Sequence, residues 1–162
     1  MIILEKKNPW GCLETAFAMV MEMPLDQIYT LIGHDGSEIV NDLPEPSCRR
    51  GFHIQELITA AILSGFTVTE IEAFPVLWTA DEKEIEVYPD EDAVDRFKFY
   101  LQYSEGVVFG RKIGARFNHV YVCSYGDFYD PDTGEQVVLP ETFQAVAFYK
   151  VDNILWQNGQ NE

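Results

Sequence analysis

Apolar positions recur at helical spacing in the first half of the chain and in β-type runs in the second. Across residues 12–23, Leu13, Ala16, Phe17, Val20 and Met21 fall three or four apart. Ala18, Met19 and Met23 carry the apolar surface nearly all the way round. A helix of that kind belongs in the middle of a core. Pro9 and Gly11 precede it and Pro24 stops it. A second helix is expected over 25–32, with Leu25, Ile28, Leu31 and Ile32 on one face, ended by Gly33 and the Asp35-Gly36 turn. Residues 34–50, with Pro44 and Pro46, read as loop. A third helix over 54–64 shows the stripe Ile54, Leu57, Ile58, Ala61 and Ile62, with Gly65 suited to its C-terminal end. A strand follows over 66–71. A fourth helix carries Ala93, Phe97, Tyr100 and Leu101 on one side, and its acidic first turn suits the helix dipole.

Beyond residue 105 the pattern changes. Segments 106–110, 118–125, 127–129, 135–139 and 145–151 are β-branched or aromatic, and Gly126 and Pro131-Asp132-Thr133-Gly134 form turns between some of them. The expected fold class is therefore α+β, with N-terminal helices packed against a C-terminal antiparallel β-sheet. No linker or repeat divides the chain, so one domain is expected over 1–156, followed by a flexible polar tail over 157–162.

Composition narrows the function. The chain has 162 residues, 27 acidic against 11 basic, for a net charge of −16. Hydrophobic residues make up 47%, enough for a packed core, so disorder is not expected. Basic residues are sparse and scattered, which argues against nucleic acid and against an anionic membrane surface. Positively charged partners remain open. Eight acidic residues and one lysine within 81–95 would favour a basic substrate, or serve as a solvated face. Only four apolar residues precede the first charge at Glu5, too few for a secretory core, and no run approaches the length of a membrane span. Cys12, Cys48 and Cys123 are odd in number and widely spaced, which fits free thiols in a reducing cytoplasm. Neither a CxxC pair nor a histidine pair at ligand spacing is present. The turn at Asp130 lacks the full set of oxygens of a calcium loop. No metal or cofactor is implied, and the pattern is silent on oligomeric state.

Cys12 opens the most apolar helix, where unpaired backbone N–H groups are expected to lower a thiol pKa. Its bland reading is a small core residue. Among the histidines, His34 reads as a solvated turn residue and His53 as a cap for the third helix. His119 heads a strand, which fixes a catalytic base better than a loop does, although a half-buried strand histidine explains it equally simply. A hairpin near Tyr125 and Gly126 would bring Asp130 beside the start of that strand, to hold one imidazole nitrogen; otherwise Asp130 merely begins an acidic turn. Trp10, Phe117 and Tyr121 are candidates to line a cleft, or to fill the core.

The order of these residues resembles the papain-like cysteine peptidases, most closely the bacteriocin-leader (double-glycine) peptidase branch and its stand-alone relatives. Trp10-Gly11-Cys12 through Ala18 is similar to that family's nucleophile segment. Gly51-Phe52-His53-Ile54-Gln55-Glu56-Leu57, Ala60-Ala61 and Gly65-Phe66 resemble its central helix and the strand after it. Val107-Val108-Phe109-Gly110, Asn118-His119-Val120-Tyr121-Val122 and Tyr129-Asp130-Pro131-Asp132-Thr133-Gly134 resemble its catalytic sheet. The resemblance implies Cys12 as nucleophile, His119 as general base and acid, and Asp130 as the residue that orients the imidazole. The family's glutamine six residues before the cysteine, an oxyanion donor, is replaced by Lys6, with Asn8 nearby. Losing one such donor can cost about 10² to 10³ in rate.

The expected activity is that of a thiol hydrolase, cleaving a peptide or isopeptide bond of a peptide or protein substrate through an acyl-enzyme on Cys12. Transfer of the acyl group to an amine would use the same intermediate. A second reading is a catalytically weak or inactive papain-like module that engages a basic partner through its acidic surface.

Overall fold

The computed structural model describes residues 1–73, 76–78, 84–86, 91–114 and 118–154, giving only the backbone at 76–78, 84–86 and 91–94. Four helices come before or between the strands: α1 (Cys12–Val20), α2 (Leu25–Ile32), α3 (Ile54–Leu63) and α4 (Glu91–Tyr103). The main sheet is formed by β1 (Phe66–Glu72), β4 (Glu105–Lys112), β5 (Asn118–Ser124), β6 (Asp127–Asp130), β7 (Glu135–Val137) and β8 (Phe143–Asn153). Its strand order is β1-β8-β4-β5-β6-β7, and every pairing is antiparallel. A separate short hairpin pairs β2 (Val76–Trp78) with β3 (Glu84–Glu86), two strands the sequence pattern does not announce. The fold is α+β, as the periodicity predicts.

α1 is shorter than its apolar run. It stops at Val20, and Glu22 takes a positive φ of 54° before Pro24. Every α1 residue from Glu14 to Val20 is buried. The helix packs with Leu57, Val107, Val120, Val122 and Tyr149 in the larger core. A smaller cluster on the other side of the sheet joins Val108, Cys123 and Phe148 to Phe97 of α4. Alternation along β5 therefore sends Val120 and Val122 toward α1, and His119, Tyr121 and Cys123 to the opposite face.

The loop over 34–50 is organised by a histidine expected to be solvated. His34 instead stacks on Phe52 at 4.9 Å, accepts the Gly36 N–H at Nδ1 (3.0 Å), and meets Glu56 Oε1 at 3.1 Å through Nε2. His53 stands at the N-cap of α3 as expected, its N–H donating to Glu56 Oε2 at 2.8 Å. No helix among the described residues is long and apolar enough to cross a membrane. The segment 157–162, Phe117 and residues 81–83 and 87–90 of the acidic run lie outside the described residues.

Candidate functional site

Tyr125 and Gly126, both at positive φ (50° and 92°), make the tight β5–β6 turn, and Ser124 pairs with Asp127 across it. The register continues through Cys123–Phe128 and Val122–Tyr129. One further step sets Asp130 opposite Tyr121 and diagonal to His119 on the same face. The diagonal is closed by a hydrogen bond: His119 Nε2 lies 3.1 Å from Asp130 Oδ1. The two side chains are only 11% and 14% exposed. Gly110 stands opposite His119 on the other neighbouring strand, at a β-bulge following Phe109.

Burial pushes the Asp130 carboxyl up, but hydrogen bonds from His119 and from the Asp132 N–H, with the Lys112 charge, outweigh it and leave the pKa below the ordinary value. Asp130 is then an anion at neutral pH, able only to accept. The neutral imidazole must carry its proton on Nε2, which leaves the Nδ1 lone pair for another proton.

Cys12 is the first residue of α1, behind a Gly11 N-cap with no side-chain cap. Its thiol does not have the lowered pKa expected at a helix N-terminus. Burial first, then the charges of Asp132 and Glu14, raise it to about 11, against a smaller lowering by Lys6. Desolvation and two anions outweigh the helix dipole. Lys6 Nζ lies 2.8 Å from Asp132 Oδ1, and the Lys6 N–H donates to the Pro131 carbonyl at 2.8 Å. The N-terminal segment is thereby fixed to the turn after β6. The structure brings His119 and Asp130 together, and Asp132 with them, since one donor atom from each of the three lies within 4.8 Å of the others. Cys12 feels this cluster through the charge of Asp132, but no hydrogen bond among the described residues joins its sulfur to His119. Such donors suit a divalent ion, yet the Lys6 ammonium already answers the Asp132 charge.

Comparison with protein-family models, curated proteins and solved structures finds no match.

Of the two candidates for the oxyanion donor, Asn8 is committed elsewhere. Its side chain hydrogen-bonds Tyr29, and its Oδ1 is buried near Glu14 Oε1, both close to the point where a Cβ on Gly11 would stand. Lys6 is the candidate whose charge reaches Cys12. Trp10 is engaged with the 34–50 loop: its Nε1 donates to the Asp35 carbonyl at 3.3 Å, and Arg49 lies over its ring at 5.1 Å. Tyr121 is fully buried, edge-on to His119 and Phe143, so it is core and not cleft.

Sequence reasoning missed Glu14 and Tyr29. Glu14 reads as an ordinary first-turn acid of a helix, but it is completely buried. The one signal was position, since α1 is apolar nearly all round and leaves a polar side chain on it no solvent face.

Proposed function

We propose that the protein is a thiol hydrolase of papain-like type, cleaving a peptide or isopeptide bond through an acyl-enzyme on Cys12. The observation that carries this reading is the His119–Asp130 pair, which holds Nδ1 ready to accept a proton on the edge of the cluster whose charge reaches Cys12. With a thiol pKa near 11, Cys12 rests as the neutral S–H. The proton therefore leaves as the sulfur attacks, in general-base catalysis. The S–C bond forms as S–H is lost to Nδ1, and the carbonyl oxygen takes the electron pair beside the Cys12 N–H and the Lys6 ammonium. Collapse expels the amine, which takes the proton from the imidazolium. Water then adds to the thioester, its proton passing to Nδ1, and the acid is released with Cys12 restored. An amine replacing water would give acyl transfer.

The experiment is iodoacetamide labelling of the three thiols, followed by peptide mass spectrometry, alongside hydrolysis of fluorescently labelled casein. Cys12 labels fastest in the wild type. Its half-buried thiol would outpace the buried Cys48 and Cys123 on exposure alone, so His119→Ala is the deciding control. Slower labelling of Cys12 in that variant, with casein hydrolysis lost in Cys12→Ala, supports the reading. Unchanged labelling overturns it.

The raised thiol pKa, together with Lys6 where the family has glutamine, favours the second reading of a non-catalytic module for a basic partner. In that case binding of an oligolysine peptide weakens with salt and survives Cys12→Ala.

A further inference from the structure

We propose that Glu14 is a positioning residue: protonated at neutral pH, it donates to Asn8 Oδ1 and ties the segment carrying Lys6 to α1 behind the Cys12 thiol. Glu14 is 0% exposed, and among the described residues neither of its carboxyl oxygens has a well-formed hydrogen bond, its own backbone N–H being the one donor that lowers its pKa. Asn8 Oδ1 is likewise buried and unpartnered among the described residues. The two acceptors share one small space: a Cβ on Gly11 would meet Asn8 Oδ1 at 2.7 Å and Glu14 Oε1 at 2.8 Å. Acceptors cannot face each other in a dry interior without a proton between them, because each would forfeit its hydration for nothing. A carboxylic acid supplies that proton.

The charged and titratable groups around Glu14 leave it little alternative. Lys6 is the cation that stabilises its anion, but its ammonium lies 2.8 Å from Asp132. On α1 itself the neighbour is the neutral Cys12 thiol. From α2 it is the Tyr29 phenol, raised to about 12 by burial and by the charges of Glu14, Asp35 and Asp26. Burial accordingly lifts the Glu14 carboxyl to about 8. Ionisation above that pH sets a second anion near the sulfur and breaks the link to Asn8.

This inference deepens the reading of Cys12 as nucleophile, but its readout needs no turnover. Carbon NMR of the whole chain, labelled at the glutamate side-chain carboxyls, reports each titration directly in the wild type. One resonance is expected to titrate near pH 8 and to be absent from Glu14→Gln. Asn8→Leu removes the acceptor of the proton and shifts that titration down. The opposite arrangement, in which the Asn8 amide N–H donates to an ionised Glu14, makes the same substitution shift it up. A wild-type spectrum in which every glutamate titrates near the ordinary 4.5 overturns the proposal, as does an upward shift in Asn8→Leu.

Discussion

Lys6 holds Asp132 by two linked contacts: its ammonium lies 2.8 Å from the Asp132 carboxylate, and its backbone N–H bonds the Pro131 carbonyl one residue earlier. The cation that lowers the Cys12 pKa is thus the partner of an anion that raises it. Separating the two charges should move the thiol in opposite directions.

Lys6→Met leaves Asp132 unneutralised beside the sulfur and raises the thiol pKa further. Well below its pKa, each unit costs tenfold in thiolate. Alkylation of Cys12 by iodoacetamide near neutral pH should slow several-fold, whereas Asp132→Asn should speed it. Measuring the full pH profile separates a shifted pKa from a lost fold. Identical profiles for the two variants would deny that this pair governs the thiol.

Asp130→Asn tests the imidazole. An amide can donate to Nε2, which favours the proton on Nδ1, the nitrogen that the proposed mechanism needs free to accept one. Under the proposed hydrolysis, casein turnover should fall by up to about 10⁴, the loss this change causes in the serine-protease triad. The acid limit follows from the same pair. The Asp130 pKa is lowered by folding, so its stabilisation is complete above the ordinary 3.8 and fades as pH falls through the lower folded value. Denaturant melts should show a wild-type advantage over Asp130→Asn that is constant at neutral pH and shrinks only in strong acid.

The His119–Asp130 relationship was legible because a two-residue turn fixes register, and register fixes which side chains meet. α2, α3, β1 and the final strands were legible from periodicity, and Gly65 from the demand for a positive φ after a helix (85°). The state of Cys12 was not. A helix N-terminus is a local feature, whereas burial and the charges of Asp132 and Glu14 come from packing that brings residues 12 and 132 together. The role of His34 was missed for the same reason, since it depends on Glu56, distant in the chain; for Tyr121 the pattern left cleft and core both open, and the distant Phe143 is part of what makes it core.

Gly110 supports the site from the neighbouring strand. A Cβ there would lie 2.3 Å from the Gln144 carbonyl oxygen, and backbone cannot yield as a flexible side chain does. Gly110→Ala should therefore cost about 1–3 kcal/mol, in the range of overpacking. At roughly 2–4 °C per kcal/mol for a domain of this size, thermal melts would detect it. Gly33→Ala is the control: its Cβ would meet nothing within 4 Å, so only the strain of φ +90° remains. A smaller loss is expected there, and an equal or larger one would mean that the β4–β8 contact is looser than it stands.

The proton on Glu14 sets a pH dependence of stability with a definite sign. Its folded pKa, about 8, lies above the 4.5 of the unfolded chain. Between those values the folded state holds a proton that the unfolded state has released, so raising the pH favours unfolding. The slope approaches about 1.4 kcal/mol per pH unit for one proton in mid-window. Glu14→Gln has no such proton to lose and keeps a donor for Asn8. Urea melts of the two proteins should converge below pH 4.5, and the variant should gain on the wild type up to about pH 8, with a constant difference above it. Parallel curves across that range would show that Glu14 is ionised in the folded protein at neutral pH.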